Sequence, residues 1–199
     1  MPSHTVLPVD RLWRPARGPA AALRALVLAV TGSLLLWASA KIQVPFWPVP
    51  MTLQTAAVFL LGFACGSRLA LATVALYLAE GAAGLPVFAG TPEKGLGLPY
   101  MLGPTGGYLV GFLAAAWIAG RAAERGVGIV GALAAMLLGS LAIYGAGLAW
   151  LAGFVGAEAA IRLGLLPFLP GDLVKIGLVA ALRELLRRPR PADVVDGER

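Results

Sequence analysis

Residues 126–157 contain no Asp, Glu, Lys or Arg. An uncharged, apolar run of that length exceeds the ~20 residues a helix needs to cross a hydrocarbon core ~30 Å thick. The pattern recurs. Residues 25–40 carry no charge, and 51–88 carry only Arg68 and Glu80. Charged residues make up 13% of the chain, against about 25% in soluble domains. The solvent such a chain is built for is a lipid bilayer.

Six spans are expected, at about 20–40, 53–67, 69–85, 105–122, 127–152 and 171–187. The fold class is therefore an all-α membrane protein, a six-helix bundle occupying residues 20–187. Polar tails rich in Pro and Arg flank it at 1–19 and 188–199, and both are expected to be poorly ordered. The second span is short for a crossing, which suits a tilted or shielded helix. Residues 155–166 read as the fraying end of the fifth span or a short surface helix. Ala38-Ser39-Ala40 resembles a signal-peptide cleavage site, but the apolar run before it is long for one and merges into a full span.

Basic residues set the orientation. With a cytoplasmic N-terminus, twelve Lys and Arg fall on the inner side and four (Lys41, Lys94, Arg162, Lys175) on the outer side. Both termini are expected to be cytoplasmic. Nine of the fifteen prolines then fall in three outer segments, the other six being in the tails. Irregular backbone at membrane depth survives only when buried in protein or lining a cavity. Three such segments above a helical bundle are the material of a binding site.

The chemistry available is narrow. A single Cys (Cys65) and a single His (His4) leave no transition-metal site and no Cys/His nucleophile. The net charge of +6 lies in tails and short loops, where topology accounts for it without nucleic acid. No P-loop or dinucleotide motif is present, so energy for any transport must come from a gradient or another subunit. No cofactor is expected.

Candidate contacts lie in the outer segments. KIQVPFWPVPMTLQT (41–55) offers Phe46, Trp47, Thr52, Gln54 and Thr55 beside three prolines. GLPVFAGTPEKGLGLPYMLGPTGGY (84–108) offers Phe88, Tyr100 and Tyr108 among glycines that let backbone approach a ligand. PGDLVK (170–175) starts the last span and sets Asp172 and Lys175 at i and i+3, on one helix face. Paired, they neutralise each other in an empty site. Parted, they offer an acceptor for N–H groups and a cation for a carboxylate, which suits a small amphoteric solute. Glu80 is the other acid within an apolar stretch, read first as a neutral acid hydrogen-bonded to backbone, next as a ligand contact and last as a proton carrier. Two small-residue stripes, Ala21-Ala25-Ala29-Ser33 and Gly103-Gly107-Gly111-Ala115-Ala119, permit close helix packing, and at least one should serve the bundle itself.

Four segments, VPFWPVPMTLQTAAV, YLAEGAAGLPVFAG, GPTGGYLVGF and PFLPGDLVK, in this order and spacing, resemble the BioY family. That family is the biotin-specific S component of energy-coupling-factor transporters. The resemblance spans about residues 35–185. It implies a bundle that captures biotin at its outer face and works with a T component and two ATP-binding cassette subunits. It carries the family's acid and lysine to Asp172 and Lys175, facing the ureido N–H groups and the carboxylate of biotin. Gln54, Phe88, Thr105, Tyr108 and Lys94 complete the expected ligand contacts. Some relatives carry Arg where this chain has Leu109, and a Gly-Gly-Asn-Gly-Gly-like turn where it has GTPEKG. The carboxylate contact thus falls to Lys175 or Lys94. The resemblance also implies that Ala21, Ala25 and Ala29 dock the T component. The rival readings are an S component for another vitamin, an intramembrane enzyme using Glu80 or Asp172, and a purely structural subunit.

Overall fold

The computed structural model describes residues 7–13, 17–45 and 47–187. The C-terminal tail 188–199, residues 1–6 and 14–16 of the N-terminal tail, and Phe46 lie outside the described residues. Eight helices are present among those described: α1 Pro8–Leu12, α2 Pro19–Lys41, α3 Gln54–Ala82, α4 Gly97–Met101, α5 Gly106–Glu124, α6 Ile129–Val155, α7 Ala157–Gly164 and α8 Leu169–Arg187. A two-stranded antiparallel hairpin, β1 Gln43–Val44 with β2 Met51–Thr52, pairs Gln43 with Thr52 and Val44 with Met51.

Four helices (α2, α3, α5 and α6) are long and apolar enough to cross a membrane, and α7 with α8, bent by 48°, counts as a fifth when taken together. The protein is thus a multi-pass membrane protein.

The chain reverses inside α3. Gly66 takes φ 78° and ψ 172°, a backbone conformation that glycine adopts without Cβ strain. The break lies at this glycine rather than at Arg68, where charge had suggested a loop. It folds the arm 54–65 back against the arm 67–82, so that Gln54 Nε2 reaches Tyr77 Oη at 2.8 Å. A helix start leaves N–H groups without intrahelical partners. Here Glu124 supplies one, its Oε1 accepting from both the N–H and the hydroxyl of Ser67 at 2.7 Å.

α5 packs against both α3 and α6, and the glycine stripe makes this possible. A Cβ at Gly107 would lie 2.4 Å from Ala146 O, and one at Gly111 would lie 2.5 Å from Ile143 Cα. Ala115 and Ala119 are fully buried on the same face. This stripe belongs to the bundle.

α2 buries one face only, through Ala29, Gly32, Ser33, Leu36 and Ala40. Its Leu23, Leu26, Val30 and Leu34 stay exposed, as expected of a helix facing lipid or a partner. The Ala38-Ser39-Ala40 triplet lies within this helix, with Ser39 and Ala40 buried. The described part of the N-terminal tail is not irregular: α1 buries Val9, and Asp10 pairs with Arg24 of α2 at 2.6 Å.

The three proline-bearing segments converge at one end of the bundle. Lys41 Nζ donates to Phe88 O and Thr91 O at 3.1 and 2.9 Å. Trp150 Nε1 donates to Gly103 O, and Tyr108 Oη to Gly164 O, each at 2.9 Å. These segments are less irregular than proline content suggests. The first folds as the hairpin, the second contains α4, and residues 157–164 form the separate helix α7 after Gly156 turns the chain at φ 82°.

Candidate binding site

At the end where those segments meet, the bundle forms a partly open cavity of about 70 Å³. Val49, Pro50, Met51 and Thr52 of the hairpin segment line one side. Gln54 and Thr55 come from the first turn of α3, Ala89 and Tyr100 from the segment before α5, and Thr105, Tyr108, Leu109 and Phe112 from the start of α5. Ile143 and Tyr144 of α6, Phe168, and Asp172 and Lys175 of α8 complete the wall. A mostly apolar lining with a few placed polar groups is the character of small-molecule sites.

Asp172 and Lys175 are the charged groups of that wall, 8% and 7% exposed. Their helical spacing brings Lys175 Nζ to 2.8 Å from Asp172 Oδ1. Thr55 donates to the same oxygen at 3.3 Å, and Tyr144 donates to Oδ2. A buried ion pair gains little stability over apolar packing, but removing one partner costs about 3–5 kcal/mol because a charge is left unpaired. Each member of the pair is therefore costly to remove while the other stays.

Gln54 is buried and held from both sides. Its Oε1 accepts from Thr52 at 3.2 Å and its Nε2 donates to Tyr77, whose hydroxyl donates to Val87 O at 2.9 Å. Thr105 precedes the first turn of α5, and Tyr108 lies one turn on. Five of the expected contacts (Asp172, Lys175, Gln54, Thr105 and Tyr108) thus come together on one cavity.

Two do not. Phe88 is 1% exposed but lies behind the wall, stacked on Tyr100 at 5.0 Å and edge-on to Tyr77 at 5.4 Å. Gly81 makes room for its ring: a Cβ at Gly81 would lie 2.0 Å from it. Lys94 is exposed and folds over Gly90, its stem filling the space that a Cβ there would take. It does not line the cavity, where Lys175 is the lysine.

Sequence reasoning passed over Tyr144 and Phe168. Tyr144 lies in apolar surroundings without a proline or charge to mark it, whereas Phe168 stands between Pro167 and Pro170. A tyrosine within an otherwise uncharged span was the one available signal for Tyr144, since a buried hydroxyl needs a partner. Glu80 bonds to the Ser33 hydroxyl of α2 rather than to backbone. Among the described residues, no group of three His, Cys, Asp or Glu gathers to hold a metal.

The docking stripe is divided. Ala25 is exposed and Ala21 half-buried, while Ala29 is buried with Ser33. A step of four residues overshoots the 3.6-residue turn by about 40°, so the stripe does not keep to one face of α2. Ala29 packs inside.

A mostly apolar, walled cavity with a buried ion pair, at one end of a helical membrane bundle, defines a small-molecule binding protein of the membrane. The comparisons narrow the class. The BioY family pattern matches residues 12–192, and the chain belongs to the BioY family. A probable biotin transporter BioY from Pyrococcus horikoshii is 43% identical over 148 residues, covering 74% of this chain and 86% of the relative. The biotin transporter BioY of Thermotoga maritima is 40% identical over 161 residues, covering 80% and 93%. A crystal structure of the S-component for biotin from an ECF-type ABC transporter superposes with TM-score 0.74 and 24% identity, covering 87% of this chain and 96% of that one. That structure has the same fold.

Proposed function

We propose that this protein captures biotin at the outer face of the cytoplasmic membrane, as the substrate-binding S component of an energy-coupling-factor transporter. The observation that carries the reading is the Asp172–Lys175 pair, buried in an aromatic cavity of a chain that belongs to the BioY family. Biotin offers N–H donors at one end and a carboxylate at the other, and the pair offers an acceptor and a cation. Purified protein titrated with biotin, thiamine and riboflavin should bind biotin alone. Binding of thiamine or riboflavin in its place would assign the protein to another vitamin.

The topology proposed is six crossings with both termini cytoplasmic. Two facts support it: the Gly66 reversal makes two strokes of α3, and the proline-bearing segments lie at the same end as the cavity. The chain carries no phosphate-binding motif, so a T component and two ATP-binding cassette subunits are proposed to energise release.

Asp172→Asn keeps the shape of the side chain but can present a donor where an acceptor is needed. It should weaken biotin binding by about tenfold or more, the scale of a hydrogen bond to a charged group. Expression should be unaffected; wild-type affinity would remove Asp172 from the site.

Docking is proposed for the exposed part of the α2 stripe, Ala21 and Ala25. Small side chains there allow another helix to approach closely. Ala25→Leu should leave biotin affinity of the isolated protein within about twofold of wild type, as for other surface changes, while co-purification with a T component falls sharply. Lost binding with retained co-purification would place the partner contact elsewhere.

A further inference from the structure

We infer that Tyr144 is a positioning residue for capture: its hydroxyl holds the Asp172 carboxylate as an oriented acceptor for the ligand's N–H groups, with Thr55 in support. The inference deepens the biotin reading above and rests on it. Three helices converge on this one carboxylate. Lys175 of α8 and Thr55 of α3 donate to Oδ1, and Tyr144 of α6 donates to Oδ2. An ionised carboxylate has about four acceptor sites, so three donors leave capacity for one more. That is the vacancy a ligand N–H fills.

The position of Tyr144 is itself determined by packing. Gly107 and Gly111 let α6 lie against α5 at a distance no side chain would permit. Tyr108 of α5 then sits edge-on to Tyr144, with ring centroids 6.4 Å apart and planes at 86°. Tyr108 is fixed in turn by its bond to Gly164 O. The Tyr144 hydroxyl is thus aimed by neighbours whose own rotamers are held, the condition under which a binding group keeps a productive geometry. A ligand that draws Lys175 away removes the counter-charge of Asp172. The hydroxyls of Tyr144 and Thr55 remain, and they keep the carboxylate solvated and oriented while the ligand is bound.

The test is a double-mutant cycle on the full chain in lipid nanodiscs, read by calorimetric titration with biotin. Tyr144→Phe keeps the ring and removes one hydroxyl. It should weaken binding about tenfold to a hundredfold, as for loss of a hydrogen bond to a charged group. Placed on top of Asp172→Asn, the same change should cost no more than about twofold further, because coupled residues are not additive. Thr55→Val should give a smaller loss that also vanishes in the Asp172→Asn background. Wild-type affinity in Tyr144→Phe would overturn the inference. So would an equal loss with and without the Asp172 carboxylate, which would show Tyr144 acting on the ligand or on packing. Should Tyr144→Phe fail to fold, an undiminished loss from Thr55→Val in the Asp172→Asn background overturns the inference alone. A wild-type protein that does not bind biotin overturns it together with the function on which it rests.

Discussion

Lys175→Met should weaken biotin binding by about 2–4 kcal/mol, the scale for truncating one member of a buried charge pair at an interface. Methionine keeps most of the stem volume, so the loss reads the cation. Two effects contribute. The ligand carboxylate loses its partner, and in the empty protein Asp172 keeps only the hydroxyls of Thr55 and Tyr144. Biotin amide separates them, since it has no carboxylate and should lose much less on the same substitution. Equal losses for the two ligands would show that Lys175 does not read the carboxylate. In that event its role is to compensate Asp172 or to donate to the ring end of the ligand.

Gly120→Ala should destabilise the fold by about 2–3 kcal/mol, in the upper part of the range for overpacking a filled core. A Cβ at Gly120 would lie 2.3 Å from Ser67 N, 2.4 Å from Ser67 Cα and 2.6 Å from Gly66 C. These are backbone atoms at the reversal of α3, with no flexible side chain to give way. Gly145→Ala in α6 is the control, because a Cβ there meets nothing within 4 Å. It should be neutral or stabilising by up to about 1 kcal/mol, glycine being a poor helix former. Thermal unfolding of both variants in detergent, followed by intrinsic fluorescence, checks the contrast. Equal midpoints for the two variants would show that the α5–α3 contact is loose.

The features legible in the sequence were those set by solvent and by local chemistry. Charge-free runs marked the long helices, and prolines marked the segments that gather over the cavity. The spacing of Asp172 and Lys175 was enough to pair them. Contacts that depend on how one helix lies on another were harder to read. Lys94 looked as available as Lys175 in sequence, but it is exposed over Gly90 and does not line the cavity. Phe88 looked like a ligand face and is a support for Tyr100 instead. Ala29 belongs to a regular stripe, yet the mismatch between four residues and one helical turn carries it inside. Tyr144 showed in sequence as a lone tyrosine in an uncharged span, and its partner Asp172 emerged from the packing of α6 on α5 through Gly107 and Gly111. The reversal at Gly66 was placed within a few residues, and the residue that allows it is the one with freedom at positive φ.

The segment between α3 and α5 is held by atoms that every amino acid possesses. Val87 O accepts from Tyr77, Phe88 O and Thr91 O accept from Lys41, and Ala89 O accepts from Tyr100. All four of those carbonyls are therefore gripped by side chains acting on main chain, three of them by Lys41 of α2 and Tyr77 of α3, which lie outside the segment. The path of this segment is encoded largely outside it. Its exposed side chains can drift, and Glu93 or Lys94 can be exchanged, without loosening the wall that Ala89 and Tyr100 present to the cavity. A change at Lys41 or Tyr77 has the opposite character: each lies outside the segment, and each would release its backbone.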